Sequence, residues 1–221
     1  MLKQRVGNGS DMHDEEIRRI VKAAYLMQLR QRNFTEQELV DAVGRSMFQE
    51  ALNGGYVASM NIGSGHRYVL TPQGRARIKI VLAGGVYDVL HLGHLAALTE
   101  AKSFGDILVA VVATDATVKL LKGRKPIFPE EDRRGLVEGL KPVDRAILGY
   151  EDVGFGFEQI LSDVEPDVVA FGFDQESLEK TVRKIIERRK LSIQMVRLSR
   201  FEHEQYLNST SVRQKLSEEM K

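Results

Sequence analysis

The chain has 221 residues, 43% of them hydrophobic, which is enough for one large domain or two small ones with ordinary cores. Its 32 basic and 31 acidic residues nearly balance, which excludes a strong general attraction to nucleic acid or anionic lipid. The absence of cysteine excludes disulfides and thiolate metal sites, and no apolar run approaches the roughly 20 residues of a membrane span. The polar N-terminus has no signal-peptide pattern, so the sequence predicts a cytoplasmic protein.

Residues 1–76 are predicted to form a small domain of three helices and a β-hairpin. Apolar residues recur at helical spacing, and Thr35 followed by Glu38 forms a capping box at the start of the second helix. Two short apolar runs around a glycine-containing turn are typical of a hairpin. The predicted helices cover about 14–32, 35–43 and 45–52, and the predicted strands cover 56–60 and 66–70. This order predicts a winged helix, and segment 68–75 resembles the wing of many archaeal and bacterial transcription regulators.

The charges of this predicted winged helix support DNA binding only weakly. A recognition helix needs side chains for base edges and cations for phosphates. The third helix offers Arg45, Gln49 and Asn53, and Glu50 offsets its one cation. We therefore expect a packing or dimerisation module, while a DNA-binding regulator that senses a nucleotide stays open as an alternative.

Residues 77–221 alternate between apolar runs and helical stretches, which predicts a Rossmann-like α/β domain. The strands are expected at about 78–83, 106–113, 143–148, 167–171 and 193–198. Such alternation predicts a parallel five-stranded sheet with helices on both faces. Ligands of these sheets bind beyond the carboxyl ends of the strands, where the strand order reverses.

A glycine turn with two histidines follows the first of these strands. Segment 84–94 reads Gly-Gly-Val-Tyr-Asp-Val-Leu-His-Leu-Gly-His, and apolar residues at helical spacing follow it. Glycines let the backbone approach a ligand, and a helix N-terminus attracts phosphate. His91 and His94 are therefore predicted to face a phosphate group from the first helical turn.

The His-X-Gly-His signature resembles that of the cytidylyltransferase-like family of nucleotidyltransferases. These enzymes transfer a nucleoside monophosphate from an NTP to a phosphorylated acceptor and release pyrophosphate. A glycine, a hydrophobic residue and Asp88 before His91 fit the family, in which phenylalanine is commoner than Tyr87. The resemblance implies nucleotide contacts from the motif residues Gly84, Gly85, Val86, Tyr87 and Gly93.

Two further segments match the family near strand ends. In segment 122–134, Lys122 and Arg124 flank a glycine and Arg133 lies in the first turn of the next predicted helix, which suits a triphosphate. Segment 170–175 resembles the Gly-Tyr-Asp-Gln segment of archaeal FAD synthases. In the family this loop contacts the base and ribose, which implies a nucleotide site that includes Gly172 and Asp174.

A hydroxyl cluster of Ser209, Thr210 and Ser211 opens the last predicted helix. Hydroxyls and free backbone N–H groups at a helix start bind a polyphosphate tail. Two departures from the family concern the same end of the chain. Archaeal FAD synthases usually carry cysteines there, and phosphopolyol cytidylyltransferases usually carry an Arg-Thr-Glu-Gly lead where this chain has Arg-Phe-Glu-His-Glu at 200–204.

The resemblance implies a nucleotidyltransferase without a covalent enzyme intermediate. His91, His94 and Lys122 are the expected catalytic groups, and Asp88 is the expected carboxylate near the acceptor or a metal. Mg²⁺ or another divalent cation would bridge the phosphates. The leading substrates are ATP and FMN, which give FAD, and the alternative is CTP with glycerol 3-phosphate or a similar phosphopolyol. A homodimer and DNA stay open as partners, and no membrane contact is expected.

Overall fold

The computed structural model describes residues 9–62, 65–152 and 156–200 together with Glu218. The chain divides into two compact units, Met1–Ile78 and Lys79–Lys221. None of the described helices combines the length and apolar character that a membrane span requires.

The N-terminal unit contains the predicted three helices and a hairpin. Its elements are α1 (Gly9–Gln31), α2 (Glu36–Val43), α3 (Arg45–Asn53), β1 (Val57–Ile62), β2 (Gly65–Leu70) and the single turn α4 (Pro72–Arg75). The capping box is present, since Thr35 Oγ1 accepts the Glu38 N–H and the Thr35 N–H donates to the Glu38 carboxylate. Apolar residues of all three helices pack with β1 around Phe34, which is fully buried. The winged-helix assignment itself stays a prediction.

The C-terminal unit contains the predicted parallel five-stranded sheet. Its strands are β3 (Ile80–Gly85), β4 (Ile107–Val112), β5 (Arg145–Leu148), β6 (Val168–Phe171) and β7 (Gln194–Arg197). Its helices are α5 (Leu92–Lys102), α6 (Asp115–Lys122), α7 (Glu130–Glu138), α8 (Gly156–Val164) and α9 (Glu176–Arg189). Each predicted strand was right in type and within two residues at both ends. The runs of β3, β4 and β6 are apolar because both faces of these strands are covered.

The strand order of this sheet is β5-β4-β3-β6-β7, with every neighbouring pair parallel. The chain builds outward from β3 in one direction and then returns to build outward from β3 in the other. The order therefore reverses between β3 and β6. A crevice opens at the carboxyl ends of such a strand pair, because the connections that follow the two strands leave to opposite sides.

Candidate nucleotidyl-transfer site

The segment after β3 makes an unusual turn at the edge of this crevice. Sequence reasoning placed Gly84 and Gly85 in the turn, but both are the last residues of β3, and the turn begins at Val86. The left-handed conformation falls on Tyr87, with φ of 51°. Its buried ring packs over Gly85, where a Cβ atom would lie 2.7 Å from the ring, so that position requires glycine. The Tyr87 ring thus covers the end of β3.

The two histidines lie together at the start of α5. His91 is the N-cap residue and His94 lies in the first turn, and their rings stack with centroids 3.9 Å apart. The Tyr87 ring meets the His94 ring edge to face, with centroids 5.3 Å apart. A Cβ atom at Gly93 would lie 3.0 Å from the His91 imidazole, which explains why glycine separates the histidines. The motif therefore fixes the distance between two imidazoles.

Each of these imidazoles has an unused polar atom. The Nδ1 atoms of His91 and His94 are both buried and have no hydrogen-bond partner among the described residues. Burial lowers the pKa of His91, and burial with the charges of His91 and Lys122 lowers the pKa of His94 to about 4. Unpaired buried polar atoms are costly in a folded protein. At a helix start beside a strand-order reversal, they are suited to an anionic ligand that supplies the missing partner.

The loop between α6 and α7 is held against this turn by Asp88. The buried Asp88 carboxylate accepts the backbone N–H groups of Ile127 at 2.6 Å and Phe128 at 3.3 Å. Its second oxygen lies 3.6 Å from the Arg124 guanidinium. Lys122 ends α6, and its charge contributes to the lowered pKa of His94, so the loop's cations and the histidines belong to one site.

Arg133 lies behind the site rather than on its surface. Its side chain is fully buried, and it donates to the carbonyls of Phe128 and Val86 and to the carboxylate of Asp115. Each guanidinium nitrogen therefore donates to a protein acceptor, and the side chain has no exposed surface through which it could contact a nucleotide. The predicted direct contact of Arg133 with nucleotide does not fit this geometry, and we assign it to positioning the loop and the turn.

Gln175 is a site residue that sequence reasoning did not single out. It follows β6 and caps α9, where its side-chain oxygen accepts the Gly172 N–H and its nitrogen donates to the Gly84 carbonyl. Gln175 thus ties together the ends of β6 and β3 at the strand-order reversal. The signal was present in the Gly-Phe-Asp-Gln segment, of which only Gly172 and the exposed Asp174 were assigned.

The predicted hydroxyl cluster, Ser209, Thr210 and Ser211, lies outside the described residues. The described chain that precedes it contacts α5 at Ser199. The Ser199 N–H and hydroxyl both donate to the carboxylate of Glu100 on α5, the same helix that begins with the histidines. The role of the cluster in phosphate binding stays a prediction.

The chain is similar in sequence and fold to known nucleotidyltransferase relatives. The family model described as cytidylyltransferase-like matches residues 82–215. FAD synthase from Aciduliprofundum boonei is 46% identical over 121 residues, 55% of this chain and 78% of that protein. FAD synthase from Thermoplasma acidophilum is 42% identical over 139 residues, 62% of this chain and 94% of that protein. A crystal structure described as a lipopolysaccharide core biosynthesis protein from Thermoplasma volcanium is 40% identical, covers 57% of this chain and 99% of its own, and has a TM-score of 0.53.

Proposed function

The chain belongs to the cytidylyltransferase-like family, and on that premise we propose that it transfers the adenylyl group of ATP to FMN. A phosphate oxygen of FMN attacks the α-phosphorus of ATP in line, and a new P–O–P bond forms as the bond to the β-phosphate oxygen breaks. The products are FAD and pyrophosphate, which carries away the electron pair of the broken bond. Relatives named FAD synthase, to which the chain is 42% and 46% identical, support FMN as the acceptor.

The observation that carries the proposal is the stacked pair of histidines with unpaired Nδ1 atoms. Charge on the α-phosphate oxygens is redistributed when phosphorus becomes five-coordinate, and preorganised donors stabilise that state. The rings are held by Gly93 and Tyr87 before the substrate arrives, so little reorganisation is needed at the moment of reaction. His91 and His94 therefore serve as positioned phosphate ligands, not as nucleophiles.

The remaining predicted residues would bind different parts of the nucleotide. Lys122 and Arg124 would meet the β- and γ-phosphates, since they precede a loop that is fixed beside the histidines. Asp174 is exposed after β6, on the other side of the strand-order reversal, where it would face the ribose or base. Ser209, Thr210 and Ser211 would complete the triphosphate site.

The contacts of the Asp88 carboxylate do not fit a magnesium ligand. Asp88 uses one oxygen for two backbone N–H groups, and its other oxygen faces Arg124. Among the described residues, a three-residue group with metal-ligand spacing is His13, Glu16 and Glu50 in the N-terminal unit, which does not include Asp88. Mg²⁺ commonly binds through substrate phosphates with few protein ligands. The contacts of Asp88 therefore do not support its predicted role as a metal ligand.

The N-terminal unit supports a role other than DNA reading. We retain the prediction that residues 1–76 form a winged helix that serves for packing or dimerisation. In support, the Arg45 guanidinium at the start of α3 bonds to Glu36 at 2.7 Å, and Gln49 bonds to Asn53. Arg45 is the one cation of α3, and the carboxylates of Glu36 and of Glu50 in the same helix offset its charge.

The experiment that tests the proposed reaction is a substrate grid. Purified protein is incubated with ATP or CTP against FMN, glycerol 3-phosphate or inositol phosphate, and pyrophosphate release is measured in parallel with product by chromatography. We expect FAD from ATP with FMN and much slower release in every other pair. Faster turnover with CTP and a phosphopolyol would refute the proposed acceptor while keeping the reaction class. No release from any pair would refute the enzyme activity.

A further inference from the structure

Two large apolar side chains are exposed in the loop between α6 and α7. Ile127 is 52% exposed and Phe128 is 41% exposed. Single exposed apolar residues are common on protein surfaces and need no explanation. What distinguishes this pair is how its backbone is held.

Buried charged groups fix the backbone of both residues. The Asp88 carboxylate, itself only 4% exposed, accepts the N–H of Ile127 and the N–H of Phe128. The fully buried Arg133 donates to the Phe128 carbonyl at 2.9 Å. Burying charged groups is expensive unless each is fully bonded, so two of them are committed to this short segment. The loop therefore holds its apolar side chains outward on a rigid backbone.

This exposed pair lies beside the transfer site. The Asp88 that binds its backbone is three residues before His91. Lys122 ends α6 just before the loop, and Arg124 precedes the pair within the loop. Leu92, which follows His91 directly, is also exposed. A ligand whose phosphate binds at the histidines would thus meet both cations and apolar side chains, which come from the start of α5 and from the loop between α6 and α7.

We propose that Ile127 and Phe128 form an acceptor platform that contacts the flavin ring of FMN and so selects a flavin over a phosphopolyol. The proposal rests on the proposed function. A flavin ring is flat and largely apolar, and it gains from contact with an aromatic and an aliphatic side chain. Glycerol 3-phosphate and inositol phosphate carry hydroxyls where FMN carries its ring. They would therefore leave the side chains of Ile127 and Phe128 exposed to water. Because the platform's backbone is already fixed, binding the ring costs little conformational entropy.

The test replaces each platform side chain by serine in the full chain. Ile127→Ser and Phe128→Ser keep the backbone N–H groups that Asp88 binds, and both side chains are exposed, so the fold should persist. We expect the KM for FMN to rise about tenfold in each variant, equal to about 1.4 kcal/mol. The KM for ATP should stay within about twofold. Leu136→Ser, another exposed apolar residue on α7 at 53% exposure, is the matched control and should change neither value.

Riboflavin isolates ring recognition, since it has the flavin ring but no phosphate. It should inhibit the unmodified enzyme competitively with FMN, and the inhibition should weaken in Phe128→Ser and be retained in Phe128→Tyr. Unchanged KM values for FMN in both serine variants would overturn the platform, as would a changed native mass with unchanged KM, which would mark a self-association surface. If the unmodified protein makes no FAD, the proposed function fails instead, so the two failures are distinguishable.

Discussion

Replacing Arg133 by methionine separates positioning from nucleotide contact at one residue. Arg133 bonds to three segments of the C-terminal unit: the Val86 carbonyl in the turn after β3, the Phe128 carbonyl in the loop, and Asp115 at the start of α6. Methionine keeps much of the apolar volume of the arginine stem but removes every donor. The variant Arg133→Met therefore leaves two carbonyls and a carboxylate without their partner.

The magnitude follows from how well each abandoned group can reach water. The Asp115 side chain is 42% exposed, so it can be hydrated again and contributes little to the loss. The hydrogen bonds to the two carbonyls are partly buried, and each acceptor that loses its partner there costs roughly 1–3 kcal/mol. We therefore expect the free energy of unfolding to fall by about 2–6 kcal/mol, a large part of the stability of a typical domain.

The assay is urea unfolding of the full chain followed by circular dichroism, with Arg134→Met as the matched control. Arg134 neighbours Arg133 in α7 but pairs on the surface with Glu131 and Glu138. Such surface pairs typically contribute about 0–1 kcal/mol, so this control should unfold nearly as the unmodified protein does.

One combination of results would refute this reasoning. If Arg133→Met unfolds within about 1 kcal/mol of the unmodified protein while its KM for ATP rises strongly, the guanidinium must leave its protein partners to bind nucleotide. Arg133 would then return to the nucleotide site where sequence reasoning placed it.

The remaining predictions concern the histidines, Lys122 and the N-terminal unit. His91→Ala or His94→Ala should lower kcat by about 10²–10³ without unfolding the protein, as measured by FAD formation and circular dichroism, and a fully active double variant would remove both from the mechanism. Lys122→Ala should raise the KM for ATP more than it lowers kcat, and steady-state kinetics with both values unchanged would contradict its assignment. Because the pKa of His94 is lowered from 6.5 to about 4, the folded state resists protonation and stability should fall as pH drops from 6.5 to 4. Across that range the unmodified protein should lose about 3 kcal/mol more than His94→Asn in urea unfolding, and equal losses would contradict the lowered pKa. Finally, since Arg45 is the one cation of α3 and Glu50 offsets it, selection from random DNA should yield no site bound at nanomolar affinity in ~150 mM salt, and recovery of such a site would favour the regulator alternative.

Local patterns in the sequence were sufficient to predict the elements and the reaction class. The runs that became β3 and β4 are apolar throughout because both faces of those strands are covered. The capping box at Thr35 was readable because both of its hydrogen bonds span three residues. The histidine pair could be predicted for the same reason, since residues three positions apart at a helix start lie on the same side of the helix.

The roles of individual site residues needed the tertiary structure, because their partners are distant in sequence. Asp88 meets Ile127 across 39 positions, and Gln175 meets Gly84 across 91. No periodicity records such contacts. Arg133 shows the consequence: in sequence it stands in a charged first turn and suggests a phosphate ligand, yet it is fully buried. The sequence by itself determined which chemistry stands at the end of β3, and only the packing of separate segments decided which charges face the ligand and which hold the site together.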